Sequence, residues 1–369
     1  MNQLFRWNQM GLFLLALAAG ILPFAVPEVC AAALQEGLTL CSGPLLLSLF
    51  PFLVVSRLLI QCPESDLLAL PFRLAAWGIG IRTPCAARVL CIGFLGGFAP
   101  AASAAAQAVR TGQLTVEEAD ALLPACICSG PSFVVLTVGQ SLLGSAELGV
   151  LLFASQITAN YLTAALLNRF AGVRSVKPGS AAPASPAPPR LDEILADAAI
   201  TYCKLCGFIL FFRMLAAGAG ALLPAGAGTL CAILLEVCSG CDLASRTGRW
   251  GSLLCCTALS VQGLSVLLQV RTICPPEMTL RPLYRARMLH LPLSLALFYL
   301  LLPGGEADVF STLPARVLLM RRVPPDCALL VFAVCCMAAC TLRSGIRQVE
   351  QKQMARNAGG CCINSKTLL

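Results

Sequence analysis

Residues 126–136 read CICSGPSFVVL. The stretch is apolar at both ends, yet Ser129-Gly130-Pro131-Ser132 interrupts it. A second stretch, SVQGLSVLLQV at 260–270, carries the same interruption: Gly130-x-Ser132 before three apolar residues is echoed by Gly263-x-Ser265 before three more. A helix-breaking signal at corresponding places in two hydrophobic runs decides how the chain is read.

The surrounding composition sets the class. Hydrophobic residues make up 58% of the chain and charged residues 12%, and the mean hydropathy is +0.81. A soluble chain carries about twice that share of charge. The expected class is an all-α polytopic membrane protein in a lipid bilayer. Apolar segments fall at 11–27, 38–60, 89–109, 121–143, 147–168, 199–223, 227–245, 252–270, 287–302 and 323–342. Measured against a span of about 20 residues, they predict about eight to ten membrane segments, several short or broken. The first, after Arg6, lacks a good cleavage site and reads as a retained helix.

Residues 172–190, GVRSVKPGSAAPASPAPPR, form a Pro/Ala/Ser linker. The organisation that follows is 1–37 as N-terminal helix and connector, 38–171 as a first repeat and 172–190 as linker. A second repeat then occupies 191–302, a loop and helix 303–342, and a basic cytoplasmic tail 343–369. Three elements recur in the same order. LFPFLVVSRLL (49–59) matches GFILFFRMLA (207–216), GFLGGFAPAAS (93–103) matches LLEVCSGCDLAS (234–245), and CSGPSFVVL (128–136) matches SVQGLSVLL (260–268).

The net charge of +8 reads as membrane topology, with an anionic substrate as the sharper alternative; no nucleic acid is expected. Basic loops at 61–88, 169–190, 271–287 and 343–356 can share the cytoplasmic side if 89–109 and 227–245 are re-entrant hairpins. The two repeats are then inverted. Arg316, Arg321 and Arg322 count against this arrangement.

A helix broken inside a membrane leaves backbone groups unpaired, which is tolerated where they line a cavity or bind something. The N-terminus of a half-helix carries partial positive charge and suits a carboxylate. Pro131 fits the first turn of a half-helix over FVVLTVG, with Ser129 and Ser132 as caps or ligand donors. Gln262 and Ser265 take the matching roles. The plain alternative is a kink for close helix packing. Glu236 lies deep in TLCAILLEVCSG. An intramembrane carboxylate points to function: it takes up a coupling proton or ion, or orients substrate through Ser239 and Gly240. Its structural alternative is protonation or pairing with Arg213. Arg57 and Arg213 end aromatic-rich segments and read as snorkelling to the interface, with anion contact as the alternative. Thr115 and Glu118 form a capping box.

The 21 cysteines lie mostly in apolar runs and read as small hydrophobes. Cys203-x-x-Cys206 and Cys238-x-x-Cys241 have metal-like spacing, but the context is not that of a metal ribbon. No metal or cofactor is expected. Nor is an enzyme, because there is no P-loop, no Ser/His/Asp set and no acid pair of glycosidase type.

The order of FPFLVVSRLL, GFLGGFAPAASAAAQAVRTGQLTVEEADALLPACICSGPSFVV, LLEVCSG and LSVQGLSVLLQV with a following RMLH resembles the sporulation integral membrane proteins of the YlbJ type. Those proteins carry a nucleoside-recognition or gate domain similar to concentrative nucleoside transporters. The resemblance spans residues 38–300 and departs at Gly97-Phe98-Ala99-Pro100-Ala101-Ala102, where the family usually reads Gly-Tyr-Pro-x-Gly-Ala. It implies a transporter of dipicolinate across the outer forespore membrane, facing the mother cell of a sporulating bacterium. By position, the substrate site would comprise Gly97 and Ser103; Ser129, Gly130 and Ser132; Glu236, Ser239 and Gly240; and Gln262, Gly263 and Ser265. A coupling proton or sodium ion and a homo-oligomer are both compatible with it. The alternatives are a carrier of nucleosides or other small metabolites, and a non-transporting sporulation scaffold.

Overall fold

A computed structural model describes residues 2–61, 65–171 and 191–302. The linker 172–190, the loop and predicted helix within 303–342, and the tail from Arg343 lie outside the described residues. The protein is an all-α polytopic membrane protein. Among the described residues, three helical stretches are long and apolar enough to cross a bilayer: Ala146–Ala171, Leu191–Leu222 and Gly248–Ile273. A fourth candidate is the pair Phe13–Ala25 and Pro27–Ser42, bent by 110°. Large apolar side chains on these helices stand exposed, among them Phe24, Phe170, Leu222 and Leu264. This is the surface a lipid-facing helix presents.

The predicted segments prove to be more finely divided. Segment 38–60 is cut at Gly43: α2 (Pro27–Ser42) ends there and α3 (Pro44–Gln61) begins at a proline. Proline starts a helix well and disfavours helical backbone in the residue before it. Residues 27–37 are therefore helix rather than connector. After short α4 (Ser65–Leu68) and α5 (Leu70–Gly78) come α6 (Pro84–Gly96), α7 (Phe98–Arg110) and α8 (Val116–Cys126). An extended stretch then leads into a π-helix (Ser132–Leu142) and the long α9 (Ala146–Ala171). The capping box of Thr115 and Glu118 opens α8 in the form predicted.

Beyond the linker comes a comparable series of helices. The long α10 (Leu191–Leu222) is followed by α11 (Ala225–Leu235) and α12 (Val237–Ser245), then by α13 (Gly251–Val261), α14 (Gly263–Ile273) and α15 (Arg281–Leu301). With the short α4 and α5 of the first half set aside, each half runs long helix, helix pair broken at one residue, second broken pair, long helix. The packing exchanges the halves as well. α3 lies on α10 and α9 on α15, α7 packs on α14, and α12 packs on the π-helix. One core runs through both halves, with Leu90, Leu122, Leu152, Val237, Leu259 and Phe298 buried together.

Segments 89–109 and 227–245 both double back. A Cβ placed on Gly93 would sit 3.2 Å from the Cβ of Ala101, and one on Gly240 would sit 2.8 Å from the Cα of Ile233. In a straight helix, residues seven or eight apart are separated by about 10–12 Å along the axis. Each segment is therefore a helical hairpin.

Candidate functional site

The hairpins turn at Gly97 and at Glu236. Gly97 has φ +80°, a backbone that glycine adopts freely and other residues rarely do. Its position also leaves no room for a side chain, because a Cβ there would lie 2.7 Å from the backbone nitrogen of Gly130. In the second half, Gly263 has φ +68° and its Cβ would lie 2.9 Å from the backbone nitrogen of Glu236. Each hairpin turn thus presses its backbone directly against the break in the other helix pair of the same half. Gly97 in the first half and Gly263 in the second are the glycines that permit this contact.

Glu236 turns its hairpin in extended backbone, and its carboxylate caps α12. Oε1 accepts from the Cys238 N–H at 2.8 Å, and Oε2 accepts from the Ser239 N–H at 2.7 Å and from Ser239 Oγ at 2.9 Å. The side chain is buried and its acceptors are filled by its own helix. Ser239 is a donor to Glu236, and Gly240 is the point where α12 lies against Ile233. Arg213 pairs instead with Glu36 of α2 at 2.6 Å. Arg213 and Arg57 are therefore not snorkelling residues; both are held inside the protein by acids far away in sequence. Asp242 makes an i,i+4 pair with Arg246.

The two remaining breaks differ from each other. Residues 127–130 run without helix between α8 and the π-helix, and Pro131, the N-cap of the π-helix, makes no side-chain cap bond. Ser129 is buried just before it. The expected half-helix over FVVLTVG is present, but with the wider π pitch, a rare form that is frequent at functional sites. Close contact with α9 accompanies it, since a Cβ on Gly139 would meet Gly149 Cα at 2.5 Å.

The break between α13 and α14 is a single residue. Gln262 has left-handed backbone, φ 61° and ψ −1°, and is 0% exposed. Neither its amide nitrogen nor its amide oxygen has a hydrogen-bond partner. Left-handed backbone in a residue with a Cβ costs about 1–2 kcal/mol. A buried unsatisfied amide costs about 1–3 kcal/mol more.

Arg287 joins the two breaks, and sequence reading had assigned it to a basic loop. Helix α15 begins at Arg281, so Arg287 lies within it and is buried. Nη1 donates to the Ser260 carbonyl at 3.3 Å, and Nη2 donates to the Ile127 carbonyl. One guanidinium thus serves the C-terminal ends of α8 and α13, one from each half. Asn160 also donates to Ile127 O, at 3.4 Å. Gln156 donates to Ser260 Oγ at 3.0 Å, and His290 Nε2 lies 3.2 Å from the Gln156 carbonyl. The signal that could have found this cluster is polar side chains inside apolar helices.

The predicted site residues therefore gather in two sets. Gly97, Ser129, Gly130 and Ser132 surround the breaks of the first half; Glu236, Ser239, Gly240, Gln262 and Gly263 surround those of the second. Ser103 and Ser265 stand apart from the turns. Ser103 accepts from Arg57 Nε at 3.3 Å, and Ser265 Oγ accepts from Gln269 at 2.9 Å. Ser103 and Gln269 line a common cavity. No family model, curated protein or solved structure matches this chain.

Proposed function

We propose that the protein is a membrane carrier for a small anionic metabolite, with dipicolinate, moved across the outer forespore membrane, as the first candidate. The observation that carries the reading is Gln262. A strained, buried and unpartnered amide in the break of a membrane span costs stability, and such a group is kept where a ligand completes it. Two crossed pairs of broken helices, one pair per half, supply the bistable framework that inverted-repeat carriers use.

The anion is accommodated at helix ends whose N–H groups are not already capped by side chains. At the breaks, those are the start of α7 at Gly97, of the π-helix at Pro131 and of α14 at Gln262. The start of α12 is taken by Glu236. In this reading Glu236 shapes the hairpin rather than touching the substrate. Arg287 occupies the carbonyl ends at which broken-helix carriers coordinate a cation, so a proton gradient rather than sodium is the expected drive.

The test is dipicolinate uptake into vesicles holding the purified chain, under a proton and a sodium gradient, beside Gln262→Leu. Leucine keeps the bulk and removes the unsatisfied amide. The variant is expected to be as stable as the wild type, or more so, by about 1–3 kcal/mol, and to lose uptake. A variant that transports normally sinks the reading.

A further inference from the structure

Between the halves lies a cavity of about 150 Å³ that the breaks do not account for. Its wall is shared: Arg57 of α3 with Ser103 and Arg110 of α7 from the first half, and Asp197, Thr201 and Lys204 of α10 with Gln269 of α14 from the second. Three cations face one carboxylate there, so the space favours an anion. Its volume lies below the several hundred cubic ångströms that drug-sized ligands occupy, which selects a compact solute.

Arg57 is the centre of the wall. Its side chain is 9% exposed and each of its three nitrogens is engaged. Nε donates to Ser103 within its own half. Nη1 donates to Asp197 and Nη2 to Thr201 Oγ1 at 3.3 Å, both on the other half. The partners are unequal, because the Asp197 side chain is 58% exposed. An exposed carboxylate on a buried guanidinium is the member that a second carboxylate can replace. The arginine loses no hydrogen bond in the exchange, and the aspartate returns to water. Gln269, at the opposite wall, donates to Ser265, one turn beyond the Gln262 break. The cavity therefore adjoins the helix whose broken start was assigned to the substrate.

We infer that this cavity is an anion port, gated by the Arg57–Asp197 pair across the two halves, and that its ligand is a compact dicarboxylate. In the empty port Asp197 ties α10 to α3. A ligand carboxylate takes the place of Asp197 on Arg57, Arg110 and Lys204 receive the second carboxylate, and the tie between the halves is released. The role as an entrance rests on the carrier reading; binding in the cavity does not.

Binding of dipicolinate to the full chain in detergent tests this, with uridine as a neutral comparator. Asp197→Asn removes the competitor and is expected to tighten dipicolinate binding about tenfold, equivalent to 1.4 kcal/mol. Lys204→Met, at an exposed position, is expected to weaken it several-fold and serves as the test if Asp197→Asn fails to fold. Uridine should respond to neither change. Unchanged or weaker dipicolinate binding in Asp197→Asn overturns the port. If that happens while the wild type still takes up dipicolinate, the carrier reading survives alone. Tighter binding in Asp197→Asn with no uptake by any form leaves the port standing and removes the carrier.

Discussion

The two hairpins reach one shape by opposite means. At Gly97 the turn depends on having no side chain, and the backbone of Gly130 fills the place where one would be. At Glu236 the turn depends on a side chain, which bends back to hold the first N–H groups of its own helix. The difference decides where charge can go. The glycine hairpin leaves the positive end of α7 without a side-chain cap, while the glutamate hairpin neutralises the positive end of α12. Similar topology in the two halves thus does not mean similar chemistry: of the two hairpin turns, only the one at Gly97 keeps its positive helix end free of a side-chain cap.

The largest effect should come from filling the glycine turn. Gly97→Ala meets the Gly130 backbone and a disfavoured φ together, and is expected to lower stability by about 3–5 kcal/mol. Gly112 also has positive φ, +68°, but open space around it, so Gly112→Ala should cost only about 1–2 kcal/mol. Thermal unfolding in detergent compares the two. Equal losses would mean that the contact between turn and break contributes nothing.

Arg287 tests whether the halves act as one body. Arg287→Met leaves the Ile127 and Ser260 carbonyls without this donor and should cost about 3 kcal/mol. Arg287→Lys should recover little, because an ammonium lacks the fork that reaches two carbonyls. Full rescue by lysine would show that charge alone matters there.

The smallest change is expected at the other hairpin. Glu236→Ala removes the cap of α12 and should cost about 1–2 kcal/mol. Glu236→Gln sharpens the contrast between the turns. A capping role predicts reduced stability with proton-driven uptake retained; a proton-carrying role predicts uptake abolished with stability unchanged.

Local rules made much of this fold readable. A low share of charge and long apolar runs specify helices in a membrane. The Gly-Pro-Ser and Gln-Gly signals mark two breaks, and Thr115 with Glu118 marks a helix start, because glycine, proline and capping residues act on the backbone beside them. The three matched stretches already give the order of elements in the two halves.

Partner choice was not readable. Arg57 meets Asp197 across 140 residues, Arg213 meets Glu36 across 177, and Arg287 meets the Ile127 carbonyl across 160. In sequence each is only an arginine near an apolar run, equally suited to an interface, a loop or a ligand. Glu236 reads in sequence as an intramembrane carboxylate with a functional role; the Cys238 and Ser239 N–H groups two and three residues on are open to it only because the helix breaks at Glu236 and restarts at Val237. Break positions come from backbone preferences carried by a few neighbouring residues. The pairing of buried polar groups comes from which helices the tertiary fold brings within hydrogen-bond reach, and for that the sequence by itself contains no local signal.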